Sequence, residues 1–252
     1  MPAARCPSLA WLAFTLIMVT GLNGCVTGTP YRAHPEAGQR LPRVKTLVML
    51  PPDVKIYELS AGGVTQLMDE WSARGRRNVI DAVSRRLSEQ GQFAVKEFTP
   101  GDTDLRLRET YEEVRALIEA VNETALLHTY HPQLSIAEKR ENFRYSIGPV
   151  PELAEAAGAD ALLFVYGVDH ISTAGRRALM VFGALVGGVT GVYAGPGAGI
   201  TRLIVSVVEP RTGDVLWFNV AAGAGGTDLR EPDSVGPLAT TLLTGFPAGA
   251  KP

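Results

Sequence analysis

The sequence predicts an α/β domain: a mixed sheet packed by long helices, with a C-terminal β-hairpin and a glycine-rich apolar insertion. Three observations predict it. Short β-branched runs alternate with long segments whose apolar residues recur at helical spacing. The run 159–168 is apolar almost throughout, as a central strand covered on both faces would be. Two later runs are joined by Pro210-Arg211-Thr212-Gly213, a hairpin signature.

Each element follows in order. Residues 44–50 form a first strand, stopped by Pro51-Pro52. Val54-Lys55-Ile56-Tyr57-Glu58 alternates and forms a short second strand, closed by Ser60-Ala61-Gly62-Gly63. Leu67, Met68, Trp71, Val79, Ile80, Val83 and Leu87 fall near helical spacing, which predicts a helix over 64–90. Gly75 is the place for a bend in it, and Gly91 stops it. Its arginines, Arg74, Arg76, Arg77, Arg85 and Arg86, are offset by Asp69, Glu70, Asp81 and Glu89. They read as a solvated face; an anionic partner is the competing reading. Residues 93–98 make a strand ended by Pro100-Gly101. A second long helix covers 105–127, with Leu107, Tyr111, Val114, Leu117, Ile118 and Val121 on one stripe. Short helices follow over 135–142 and 151–157, the latter opening on Pro151 and stopped at Gly158. The apolar strand 159–168, the strands 200–208 and 214–220, and a helix over 232–244 complete the chain. No internal repeat and no second domain is visible.

Composition bounds the function. The chain of 252 residues carries 24 Lys+Arg against 26 Asp+Glu, which argues against a nucleic-acid binder with its strongly basic face. Hydrophobic residues at 46% and charged residues at 20% exclude disorder across the whole chain.

The first 25 residues speak to the compartment. Arg5 precedes an apolar run, Leu9 to Thr20, too short for a comfortable membrane span and laid out like a secretory signal peptide. The run ends in Leu22-Asn23-Gly24-Cys25, which resembles the bacterial lipobox; Asn23 departs from the usual small or apolar residue. The resemblance implies a signal peptide over 1–24 and lipidation of Cys25, which becomes the first mature residue. The competing reading is an ordinary leader with a chance cysteine, or an uncleaved anchor. Cys6 lies in the segment to be removed, so the mature chain would hold one cysteine and no disulfide. Two or more acyl chains give stable anchoring. Val26 after the cysteine implies, by the same lipoprotein rules, the outer membrane with the domain facing the periplasm. Residues 25–43, with Gly28, Pro30, Pro35, Gly38 and Pro42, read as the lipidated cysteine and a flexible tether, and 44–247 as a single periplasmic domain.

The most unusual segment is the insertion 178–199. Gly183, Gly187, Gly191, Gly195 and Gly199 repeat with a period of four, and no charge falls between Ala178 and Thr201. Glycine every fourth residue lines one helix face and admits a close partner. Each also costs about 1 kcal/mol of helix stability in water. Pro196 confines any helix to about 177–194. Three readings stand: a self-packing helical hairpin in an oligomer, a segment in or on a membrane, or a flexible apolar loop. These glycines are the candidate oligomer or membrane contact.

Catalytic signals are sparse. His128 and His131 stand three apart with no Asp, Glu or Cys cluster beside them, a poor metal clip. Asp169-His170 follows the central strand without an identified nucleophile. G-x-S-x-G, Walker A and H-E-x-x-H are all missing, and Gly195-Pro196-Gly197-Ala198-Gly199 lacks the Lys-Ser/Thr of a phosphate loop. The expectation is therefore no enzyme, no metal and no cofactor.

The Gly158-Ala159-Asp160-Ala161-Leu162-Leu163 strand, the hairpin Val205-Ser206-Val207-Val208-Glu209-Pro210-Arg211-Thr212-Gly213-Asp214-Val215-Leu216-Trp217 and the opening Val48-Met49-Leu50-Pro51-Pro52 form a pattern. It resembles periplasmic lipoproteins related to the curli secretion channel subunit and the TolB amino-terminal domain. The resemblance covers about 44–220 and implies an α/β fold and a tendency to form rings or other oligomers in envelope assemblies. It carries over no catalytic residue. The expected function is a non-enzymatic, lipid-anchored assembly or scaffold subunit, a homo-oligomer or the partner of another envelope protein. The alternatives are a subunit of a secretion pore or transport complex, and an envelope hydrolase or ligand carrier around Asp169-His170.

Overall fold

The computed structural model describes residues 26–28, 30–101, 104–192, 195, 197, 199–223 and 226–246. The expected leader 1–24 and the lipidation site Cys25 lie outside the described residues.

The predicted mixed α/β architecture is what the chain adopts. In order the elements are β1 (Val26–Gly28), β2 (Arg32–Ala33), α1 (Ala37–Arg40), a 3-10 turn (Leu41–Arg43), β3 (Thr46–Met49), β4 (Asp53–Leu59) and β5 (Thr65–Leu67). Then come α2 (Asp69–Gln90), β6 (Ala94–Glu97), α3 (Leu105–Ala125) with a π-helical extension (Leu126–Tyr130), α4 (Ala137–Glu141) and α5 (Pro151–Ala157). The chain closes with β7 (Ala161–Ser172), α6 (Ala174–Thr190), β8 (Thr201–Val208), β9 (Val215–Gly223) and α7 (Pro232–Leu242).

All nine strands belong to one open sheet, ordered β1-β9-β8-β7-β3-β6. The long strand β7 is its spine. One edge of β7 pairs antiparallel with β8 along eight residues, Leu162 to Asp169. The other edge pairs in parallel with two strands laid end to end, β3 at Leu47–Met49 and β4 at Asp53–Leu59. Pro51 and Pro52 sit at the step between them, where two missing N–H groups cost the ladder nothing. The carboxylate of Asp160 accepts the N–H groups of Lys45 and Thr46, and these bonds hold it below the usual carboxylate range.

Alternation along β7 divides the core. Ala161, Leu163 and Val165 face a layer that includes Val79, Val83 and Leu87 of α2 and Val235, Leu238 and Leu242 of α7. Leu162 and Phe164 face a second layer that includes Val114 and Ile118 of α3, Leu153 of α5, and Phe143 from the loop before α5. The sheet is thus buried between helices on both faces, which explains the apolar run at its centre.

Two expectations need correction. The helix placed at 64–90 begins only at Asp69; Thr65–Leu67 pair with Tyr57–Leu59 as a hairpin. The helix runs without a break through Gly75. A Cβ there would stand 2.7 Å from Ile56 Cδ1 and 3.3 Å from Val54 Cγ1, so this glycine lets α2 lie close on β4. The second correction concerns the flexible tether over 25–43. Val26–Gly28 and Arg32–Ala33 both pair with β9, and Ala37 and Leu41 are buried in the core. The Arg40 guanidinium holds Asp214 at 2.8 Å and also Glu209 and Thr212 of the β8–β9 hairpin. The physical reason is that spaced prolines and glycines leave room for apolar and ionic anchors between them.

Candidate functional site

The insertion builds a helix on the end of the sheet. Thr173 caps α6, its hydroxyl accepting the N–H of Arg176 at 3.2 Å. Gly191, at φ 75°, ends it in the left-handed conformation with its N–H on Gly187 O. Arg176 is buried in the first turn. Its guanidinium donates to Ser60 O at 3.1 Å and to Gly197 O at 2.8 Å, fixing the helix base to the β4–β5 turn.

This divides the glycine comb among different roles. Gly183 and Gly187 lie within the helix, Gly191 terminates it, and Gly195 and Gly199 lie beyond it. A Cβ at Gly199 would overlap the His170 carbonyl oxygen, so Gly199 is required by a close approach of two backbones. Within the helix Gly183 and Gly187 share one face, and the helix stops at the third repeat. The less exposed stripe of α6 is Arg176, Met180, Gly183 and Gly187, at helical spacing. The outward face carries bulk instead. Phe182 is 63% exposed, Leu185 67% and Val189 89%, with Leu179 and Val181 beside them and Val192 just past the helix. Their spacing of three and four was legible in the sequence, but the glycines drew attention from it.

Phe182, Leu185 and Val189 together expose an apolar ridge along one face of α6. The helix is 17 residues, about 25 Å. Among the described residues no helix is long and apolar enough to cross a membrane.

An open cleft of about 270 Å³ lies at the base of α6, lined by His170, Arg177, Met180, Thr201, Asp228 and Arg230 among others. Its cations are engaged within the protein. Arg230 holds Asp228 at 2.6 Å and lies over Trp71, 4.2 Å from the ring centroid. Arg177 donates to Ser172 O at 2.9 Å. Adjacent strand residues point to opposite faces, so Asp169 and His170 do not form a dyad. His170 stacks on Tyr57 at 5.3 Å. Asp169 is fully buried; its carboxylate accepts Thr201 Oγ1 at 2.7 Å and Leu229 N–H at 2.8 Å. Burial pushes its pKa up to about 6 against the pull of those two donors.

The other candidates sit apart from this site. The His131 ring accepts the N–H groups of Gln133 and Leu134, and His128 Nδ1 lies 3.4 Å from Leu134 O, so both shape one turn. Among the described residues no group of three or more His, Cys, Asp or Glu could hold a metal ion. Arg74, Arg76 and Arg77 lie on the exposed face of α2, where Arg74 pairs with Glu231 at 3.3 Å.

No known protein family matches this chain, and no curated protein matches it. Among solved structures it is similar to the PelC dodecamer from Paraburkholderia phytofirmans, with a TM-score of 0.37 and 10% identity over 88% of this chain and 95% of that one. A variant PelC dodecamer from the same organism gives a TM-score of 0.36 and 10% identity over 88% and 96%.

Proposed function

We propose that this chain is a lipid-anchored, non-enzymatic assembly or scaffold subunit of the bacterial cell envelope. Cys25 holds it at the outer membrane, and the α/β domain faces the periplasm as a homo-oligomer or the partner of another envelope protein. The observation that carries this reading is the ridge of Phe182, Leu185 and Val189 on α6, an apolar surface that fits a domain held against another envelope component, lipid or protein. A chain that worked alone in water would gain nothing from keeping such side chains exposed on a well-capped helix. The leader pattern ending at Cys25 and the resemblance to envelope lipoproteins support the compartment. A hydrolase built on Asp169 and His170 is the weaker reading, since the two side chains point apart.

The test is the mass of the full chain extracted from membranes in mild detergent, read by light scattering with the detergent contribution subtracted. A discrete oligomer is expected. A monomer across the accessible concentration range overturns the homo-oligomer.

A further inference from the structure

The sheet register says where the ridge on α6 goes. Val26 stands opposite Gly223, Gly223 opposite Thr201, and Thr201 opposite Asp169, one row across β1, β9, β8 and β7. Strand spacing of about 4.8 Å puts Val26 about 10 Å from Thr201 and about 14 Å from Asp169. Directions agree as well. β7 runs parallel to β9 because each is antiparallel to β8, and β1 is antiparallel to β9. The N-terminal end of β1 therefore leaves the sheet at the same end where β7 runs on into α6. Cys25 is the next residue upstream of Val26.

Little slack separates the two. Val26–Gly28 and Arg32–Ala33 are both laddered to β9, so acyl chains on Cys25 would be joined to the sheet almost directly. A bilayer holding those chains would lie against the end of the domain from which α6 projects. The segment from Ala178 to Ile200 has no charged side chain to resist it.

We propose that α6 lies along the membrane surface and beds Phe182, Leu185 and Val189 in the same leaflet that holds the lipid on Cys25. The occupant of the ridge is lipid. At about 25 Å the helix is too short to cross the roughly 30 Å hydrocarbon core, so it lies in the interface with its less exposed stripe, Met180, Gly183 and Gly187, toward the protein. The lipid anchor and α6 then fix the domain at two points and set its orientation. This inference rests on the lipidation of Cys25 proposed above.

The test uses the full chain, matured in bacteria and reconstituted in vesicles of phosphatidylethanolamine and phosphatidylglycerol. Single variants Leu185→Cys and Val189→Cys receive an environment-sensitive fluorophore; Ala156→Cys, exposed on α5 at the opposite end of the sheet, is the control. Intact mass reports whether Cys25 carries lipid. With the lipid present, brominated phospholipid is expected to quench the labels at 185 and 189 and leave 156 bright. Labels at 185 and 189 open to aqueous iodide and untouched by bromolipid overturn the inference. Labels shielded from both overturn it in favour of a protein contact and leave the assembly role standing. A mass without lipid overturns both the anchor and the inference.

Discussion

Asp169→Asn should make this protein more stable at neutral pH. The carboxyl is fully buried and accepts Leu229 N–H and Thr201 Oγ1. The Thr201 hydroxyl also lies 3.2 Å from Thr227 O, but its one proton cannot serve both acceptors. A protonated Asp169 resolves this: its O–H donates to Thr201, and Thr201 donates to Thr227 O. Asparagine supplies the same two bonds permanently, its amide nitrogen donating one N–H to Thr201 and its oxygen accepting Leu229 N–H; the amide's second N–H, left without a partner, takes back part of the gain. Moving the titration from 3.8 to about 6 disfavours the ionised form by about 3 kcal/mol, the upper bound of the gain at neutral pH. The folded chain keeps this proton longer than the unfolded chain does. Between 3.8 and about 6 the unfolded state therefore binds fewer protons, and wild-type stability falls as pH rises through that window. The measurement is urea unfolding of the Cys25→Ser chain made without residues 1–24, followed by tryptophan fluorescence, since Trp217 is fully buried. The variant should match wild type near pH 4, exceed it increasingly up to about pH 6, and stay ahead by a constant margin above. A variant less stable at neutral pH, or a difference independent of pH, would refute the reasoning.

Two further substitutions probe the frame around the site. Gly75→Ala gains about 1 kcal/mol of helix propensity, but its Cβ meets Ile56 Cδ1 at 2.7 Å in a side chain with no exposed surface to retreat into. The net expectation is a loss of about 1 kcal/mol in the same unfolding assay; a gain would show that α2 can pull back from β4. Arg40→Met should cost about 2 kcal/mol at neutral pH by stranding Glu209 and Asp214. Burial alone would raise both carboxyls, but the Arg40 hydrogen bonds outweigh it and hold both below their ordinary 4.5 and 3.8. The Arg40 contribution is thus complete above those values and lost as pH falls through the depressed ones, so the gap between wild type and variant should close on acidification. A gap that widened in acid would rule the ion cluster out as its source.

The strands and long helices were legible because their signals are local. Val83 and Leu87 are neighbours on one face by helical geometry alone, and Leu162 and Leu163 face opposite layers by the pleat alone. The hairpin at 210–213 and the stop at Gly158, with φ 62°, were likewise written in residues whose conformational demands are their own. Thr65–Leu67 was missed because a three-residue strand has no periodicity of its own; it exists because Tyr57–Leu59 offers an edge.

The candidate site divides along the same line. The sequence by itself determined that residues 178–199 would be apolar, uncharged and unusual, and that Cys25 closes a lipobox-like leader. The structure added the caps of α6, Thr173 and Gly191. Only the tertiary structure decided what the glycines do, because a period of four is the same whether a helix continues through it or stops at Gly191. It alone turned Asp169 into a buried carboxyl and separated it from His170, since burial depends on Leu229 and Thr201, 60 and 32 residues away. And it alone brought Val26 into one row with Thr201 and Asp169, because strand register is fixed by partners distant in sequence.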